Sequence, residues 1–335
     1  MPSVSIVMPI RDAAATLGDC LGSIAGQTLR DWELVAIDDG STDASAAVVR
    51  EAARDDTRIR LLPPGRIGFV AALNLGLAEA RAPIVARMDA DDVMAPERLA
   101  LQFEHLARHQ DVALVACQVR LFPDEEVRDG SREYIRWQNA CLTAADVACE
   151  IWVESPFAHP SVMFRRDVVM TEGGYLDGVF PEDYELWLRL HERGHRMEKL
   201  PRVLLDWRES AARLSRTDPR YDRDAFDRLR ADSLSRDRHL TTGRSVVFWG
   251  AGRRTRQRAR HLVARGVKPA AYVDIDPRKI GRVIDGAEVH PPEWLARTPR
   301  PFVLAWVASH GARDLIAAKL AEFGYRRGED WLGVG

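Results

Sequence analysis

The chain of 335 residues lacks most of what would mark a membrane-spanning, secreted or nucleic-acid-binding protein. No apolar run reaches the roughly 18–20 residues that cross a bilayer, and Arg11 and Asp12 cut short the first apolar stretch, so no secretory signal is expected. Formal net charge is only -2, which supplies no overall field for nucleic acid or an acidic membrane. Cysteine is scarce: Cys20, Cys117, Cys141 and Cys149 are scattered, without metal-ligand spacing or a disulfide framework, and read as reduced thiols of a cytoplasmic protein. Lysine is nearly absent, with Lys199, Lys268, Lys279 and Lys319 standing against 48 Lys plus Arg. The expectation is a soluble, cytoplasmic protein with no nucleic-acid partner, for which peripheral contact with the inner membrane face stays open.

What is present is an ordinary globular composition, 46% apolar and 29% charged, over a length that suggests two domains. The apolar runs "VSIVMPI" (4–10), "WELVAID" (32–38), "RIRLL" (58–62) and "PIVARM" (83–88) read as strands, and the segments between them carry apolar residues at helical spacing. Such alternation predicts a doubly wound, mostly parallel α/β sheet whose ligand site lies at the carboxyl ends of the strands. Past about 112 come "VALVACQVRLF" and "HPSVMFRR" (159–166) as strands, "EDYELWLRLHERG" (182–194) as a helix, and "RMEKLPRVLLDWR" as an extended segment. Residues 216–243, rich in arginine and aspartate, read as a solvated helical linker laced with ion pairs. Residues 244–335 restart the strand–turn–helix pattern as a small second α/β domain, after a first domain of 1–215.

Polar residues gather at the predicted strand ends. Met88-Asp89-Ala90-Asp91-Asp92 places three carboxylates in four positions, and like charges so close repel unless something positive lies between them. Either the stretch caps the helix that follows Pro96-Glu97, or it holds a hard divalent cation, which takes carboxylate oxygens and substrate phosphate oxygens. "DDGSTD" (38–43) supports two readings as well: a helix cap, or Asp39 accepting from a nucleobase N–H where Gly40 permits close approach. "PEDYELW" (181–187) has the composition of a helix first turn, and it would equally set Asp183 as a general base on a rigid helix end.

Taken in order, "VSIVMPIRDAAATLGDCLGSIAGQT", "WELVAIDDGSTD", "ARMDADDVMAPERL", "HPSVMFRR" and "GGYLDGVFPEDYELWLRL" resemble the inverting glycosyltransferases of family 2, over roughly residues 3–215. The resemblance implies a GT-A fold of the nucleotide-diphospho-sugar transferase kind. It also implies a nucleotide-diphosphate sugar donor, a glycan or lipid-linked acceptor, and Mg²⁺ or Mn²⁺. By it, Pro9, Arg11, Asp39, Arg66 and Asp89 line the donor pocket and Asp91 ligates the metal. Asp183 is the base, with Glu182 and His159 on the acceptor side. Members often carry a histidine after the base helix; here "DWRESAARLSRTDPRY" (206–221) has none, and Arg208, Arg213 or Arg216 is expected to meet the diphosphate instead.

In the second domain, Gly250-x-Gly252 opens a helix and Asp274 ends the next strand, the layout of a dinucleotide-binding turn. Thr255 stands where a third glycine belongs, and Arg253 and Arg254 crowd the turn. A small Rossmann-like domain is therefore expected. Two further readings stay open: a bifunctional enzyme using this domain for a second sugar-modifying step, and a non-catalytic assembly subunit.

Overall fold

Seven consecutive buried residues make Val4–Ile10 (β1) the axis of the first sheet in the computed structural model, which describes residues 1–210, 213–296, 300–307 and 311–335. The elements that follow are Leu17–Ala25 (α1), Trp32–Asp38 (β2), Ser45–Asp55 (α2), Ile59–Leu62 (β3), Phe69–Glu79 (α3), Ile84–Arg87 (β4), Val93–Met94 (β5), Arg98–Arg108 (α4) and Val112–Phe122 (β6). Next come Asp129–Ala140 (α5), Ala144–Glu150 (α6), Met163–Arg165 (β7), Arg166–Thr171 (α7), Glu182–Glu192 (α8), Arg196–Arg208 (β8) and Leu214–Thr217 (α9).

The strand order is β3-β2-β1-β4-β7-β6-β8-β5. Strands β1 to β4 pair in parallel and read as unbroken apolar runs because helices cover both faces. The sheet is mixed rather than mostly parallel: β7 runs antiparallel to β4 and β6, and β5 antiparallel to β8. Side-chain alternation reveals which face of a strand is buried and not which neighbour it takes, so this insertion was invisible in the sequence. Only Met163–Arg165 of the expected strand at 159–166 is extended; His159–Ser161 forms a 3₁₀ turn.

Helix α1 buries Leu17, Cys20, Leu21 and Ile24, one stripe at i, i+3, i+4 and i+7. Helix α3 lies on β1 and β2 at Gly76, where a Cβ would come within 2.4 Å of Val7 and 2.8 Å of Ile37. The long strands β6 and β8 pair in parallel and extend the sheet away from β1.

Two compact units divide the chain. The first holds Met1–Ala144, Pro156–Gly178 and Glu182–Thr217; the second holds Ala145–Ser155, Val179–Pro181 and Asp218–Gly335. The second contains Arg223–Leu234 (α10), Arg238–Thr241 (α11), Val246–Trp249 (β9), Arg253–Ala264 (α12), Ala271–Val273 (β10), Val283–Ile284 (β11), Ala287–His290 (β12), Phe302–Ala305 (β13), Ala312–Glu322 (α13) and Trp331–Gly333 (β14). Its sheet runs β11-β12-β10-β9-β13-β14 and is parallel except for β11. Helix α10 packs on α12 and buries Ala231 and Leu234 together with the pair Asp227–Arg230 at 2.7 Å. The arginine- and aspartate-rich segment is thus not a wholly solvated helix. Arginine and aspartate dominate its composition, and the apolar residues on its buried face are few.

Candidate active site

In the first sheet the chain steps outward from β1 to β2 and β3 on one side, then returns from β3 by way of α3 to β4 on the other side of β1, so strand order reverses at β1. Such a switch point opens a crevice at the carboxyl ends of the strands. Ile10, Asp38 and Arg87 end the three strands there, and the loops that follow carry the candidate residues.

The loop after β1 is tied to the loop after β2. Asp12, at φ 48°, accepts from the Thr42 amide at 2.7 Å and its hydroxyl at 3.1 Å. Asp43 accepts from the Ala14 amide at 3.0 Å, and Ser45 Oγ accepts from the Ala13 amide at 2.8 Å. The end of "DDGSTD" therefore caps α2, through Asp43 accepting the Ser45 amide at 2.9 Å, and at the same time holds the loop of Arg11. Pro9 is buried against Ile37, and Arg11 is exposed beside Asp12.

Asp39 is buried, and its Oδ1 accepts from the Ile67 and Gly68 amides at 2.7 and 2.8 Å, which fixes the turn into α3. Gly40 has φ 71°, and a Cβ there would meet Arg66 at 3.0 Å. The close approach for which this glycine is needed is to the Arg66 backbone. Asp39, Gly40 and the exposed Arg66 consequently lie together.

The three carboxylates after β4 converge, with oxygens of Asp89, Asp91 and Asp92 all within 4.8 Å of one another. Asp89 pairs with the buried Arg87. Asp92 Oδ1 accepts the Arg208 amide at 2.8 Å, while its buried Oδ2 has no partner among the described residues. Burial and then the charge of Asp89 push the Asp91 carboxyl up to about 6, and the same causes, with Asp91 added, raise Asp92 well above the ordinary range. Clustered and oxygen-only, the set fits a hard divalent cation. Arg208 donates from Nε to the Asp91 carbonyl at 2.7 Å, lies over Phe122 at 4.4 Å, and approaches Asp19 at 3.8 Å. Arg213 rests on the Trp207 ring at 3.9 Å and pairs with the buried Glu209, which Arg216 also joins. Nothing in the sequence singled out Glu209 as the acid gathering these two arginines.

At the start of α8, Asp183 accepts the Tyr184 amide at 2.7 Å, and Leu186, Trp187 and Leu190 pack inward behind it. Burial and the adjacent Glu182 charge push the Asp183 carboxyl up to about 8. Glu182 is buried, 3.6 Å from His159 Nδ1. His159 Nε2 hydrogen-bonds Tyr175 Oη at 2.9 Å, and burial together with Arg87 holds the imidazole neutral. Tyr175 is itself clamped by Asn74, whose amide donates to the Tyr175 carbonyl at 2.8 Å and accepts its N–H at 2.9 Å. Sequence reasoning missed Asn74 and Tyr175, although the tyrosine sits in the quoted "GGY" stretch.

In the second unit, Gly250 has φ 112° and packs on Thr255, where a Cβ would lie 2.9 Å from the hydroxyl. Both oxygens of Asp274 are engaged internally. Oδ2 accepts from the Ala251 amide at 2.8 Å and Lys279 at 2.9 Å, and Oδ1 accepts from the Asp276 amide at 2.9 Å.

Residues 5–172 match the model for glycosyl transferase family 2. The amylovoran biosynthesis glycosyltransferase AmsE of Erwinia amylovora is 33% identical over 206 residues, 61% of this chain and 75% of that protein. The chain belongs to glycosyl transferase family 2. It is a glycosyltransferase. Another relative of this glycosyltransferase is the UDP-Gal:alpha-D-GlcNAc-diphosphoundecaprenol beta-1,3-galactosyltransferase of Escherichia coli, 28% identical over 212 residues, 62% of this chain and 75% of that one. Among solved structures, S. aureus TarS 1-349 in complex with UDP-GlcNAc superposes with a TM-score of 0.56 at 17% identity, covering 71% of this chain and 68% of that one. The mannosyltransferase PcManGT from Pyrobaculum calidifontis, in complex with GDP-Man and Mn²⁺, superposes at 0.52 and 19% identity, covering 97% of this chain and 81% of that one. At these identities the two structures establish the GT-A-like fold. No helix among the described residues is long and apolar enough to cross a membrane.

Proposed function

We propose that this glycosyltransferase is metal-dependent and inverting, and moves a sugar from a nucleoside-diphosphate donor, a UDP-sugar first, to a hydroxyl of a glycan or lipid-linked acceptor. Relatives named for amylovoran and O-antigen biosynthesis support a cell-surface polysaccharide as the product class. The observation that carries the reading is that one neighbourhood holds both acid sets: Arg87, paired with Asp89, lies 5.6 Å from the Phe69 ring, Phe69 meets His159 edge-on at 6.4 Å, and His159 is 3.6 Å from Glu182.

Asp91, with Asp92 beside it, would hold Mg²⁺ or Mn²⁺, and Asp89 would reach the donor. When bound, the cation supplies positive charge to the leaving diphosphate without needing a proton. Pro9, Arg11, Asp39 and Arg66 line the donor side, the loops bonded to one another as described. Arg208, with Arg213 beside it, presents guanidinium donors to the diphosphate; the charge of Arg213 already acts on Asp91 and Asp92. Asp183 takes the proton of the acceptor hydroxyl while its oxygen attacks the anomeric carbon. The bond from that carbon to the diphosphate oxygen breaks, its electron pair leaves with the nucleoside diphosphate, and the single displacement inverts the anomer. Charge builds on the sugar as in glycoside hydrolysis. Glu182 and His159 shape the acceptor side and keep Asp183 in place.

The test is a thermal-shift screen of UDP, GDP and dTDP with and without Mn²⁺, followed by NMR of the product formed from the sugar nucleotide that turns over. A Mn²⁺-dependent shift and an inverted anomer are expected. A retained anomer, or equal shifts with and without metal, would remove the mechanism proposed here.

A further inference from the structure

Arg87 lies at the end of β4, 2% exposed, in a stretch that otherwise reads as core. A guanidinium taken out of water demands a partner, and among the described residues Arg87 pairs with one acid, Asp89, through one nitrogen. Its Nε has no hydrogen-bond partner among the described residues. The guanidinium lies 5.6 Å from the Phe69 ring centroid, and Phe69 in turn meets His159 edge-on at 6.4 Å. The backbone around it is held on both sides: the Arg87 amide donates to Val162 at 3.0 Å, and the buried Arg98 donates to the Arg87 carbonyl at 2.9 Å. A charge this constrained cannot reorient toward water.

Contacts link it to two groups of acids: it pairs with Asp89, and through the rings of Phe69 and His159 it reaches Glu182, 3.6 Å from His159 Nδ1. Asp89 and Asp91 follow it on the β4–β5 loop, and Glu182 and Asp183 stand at the head of α8. The charge of Arg87 acts on Asp91, Asp183, His159 and Tyr175 alike. The titratable groups facing Asp183 are therefore Glu182 on its own helix, Arg87 from β4, Tyr175 from the 172–178 segment, and, around that tyrosine, His159 and Asp89. His159 is held neutral and Tyr175 unionised by burial. Among these groups Arg87 is the one standing positive charge.

We propose that Arg87 is a positioning residue with two outputs: it aims the Asp89 carboxylate at the donor, and its buried charge offsets the repulsion between Glu182 and Asp183 at the base. The inference rests on the assignments of Asp89 to the donor and Asp183 to the base. A lysine would keep the charge but carry it as a compact ammonium on a flexible stem, which does not fix the direction from which Asp89 is gripped, so the two outputs separate in one substitution.

The experiment is steady-state kinetics of the full chain with the sugar nucleotide that the wild type turns over, across pH, for Arg87→Met and Arg87→Lys. Arg87→Met is expected to raise donor KM about 10-fold and to move the acid limb of the kcat profile up by about one pH unit, because removing a nearby positive charge favours the protonated base. Arg87→Lys is expected to leave the limb in place and keep KM raised. A folded Arg87→Met with wild-type KM and an unmoved limb overturns the proposal. So does wild-type KM in Arg87→Lys, which decides the matter if the methionine variant does not fold. A double-mutant cycle with Asp89→Asn should be non-additive in KM; additivity shows that Arg87 does not act through Asp89. Turnover retained in Asp183→Asn would sink the assignment of the base, leaving the donor half of the proposal to the cycle.

Discussion

Asp92 accepts the backbone N–H of Arg208 at 2.8 Å, joining residues 116 apart in sequence. The acidic tip after β4 is thereby locked to the end of β8, and Arg208 is brought beside the carboxylates. The site depends on both halves of a mixed sheet.

Asp183→Asn should lower kcat by roughly 10²–10⁴-fold, the usual worth of a positioned base. It should also stabilise the ligand-free protein at alkaline pH. The folded carboxyl titrates at about 8 against an ordinary 3.8, so the folded state binds the extra proton between those values and wild-type stability falls as pH rises through that window. Melting curves from pH 5 to 8.5 should show the two proteins diverging as pH rises. Parallel curves would mean that Asp183 is not held in a desolvated site.

Asp91→Ala should abolish the Mn²⁺-dependent part of the thermal shift given by the nucleoside diphosphate that binds the wild type. With ligand at about 100 times its Kd the wild type gains about 2.7 kcal/mol, a rise of roughly 4 °C for a protein of this size. An undiminished shift in the variant would place the cation elsewhere.

Arg208→Ala should raise donor KM about 10-fold or more, since a charge-assisted contact to phosphate is lost. Arg213→Ala and Arg216→Ala should have smaller effects, because both side chains are tied to the buried Glu209. Unchanged donor KM in all three would show that these arginines do not serve the diphosphate.

Gly76→Ala places two expectations in opposition. Helix propensity favours alanine by about 1 kcal/mol. Overpacking opposes it, because the new methyl would come within 2.4 Å of Val7 and 2.8 Å of Ile37, both stiff side chains fully buried in the sheet. Urea denaturation should find the variant about 1–3 kcal/mol less stable. A gain in stability would mean that α3 can lift from the sheet at little cost.

Much of this protein was legible along the chain. Strands β1 and β2 run between the residues that their apolar stretches marked, and Val112–Phe122 and Arg196–Arg208 match the extended segments read there. Local period reports burial directly, and the acids at the strand ends stood out because carboxylates in series have no place in a buried run. What the sequence determined by itself was therefore the elements, the edge on which the site lies, and the residue types available for its chemistry. The tertiary structure alone decided which of them meet. Asp39 turned out to grip the amides of Ile67 and Gly68, Glu209 to gather Arg213 and Arg216, and Tyr175 to be clamped by Asn74 from 101 residues away. Arg87 read as one more residue of a core strand, and its pairing as a buried cation with Asp89 became visible only once the sheet was assembled. The reason is physical: periodicity encodes the face a side chain presents, whereas its partner is set by how distant segments pack, and neither the antiparallel insertion of β7 nor the crossing of β8 toward Asp92 leaves a local signature.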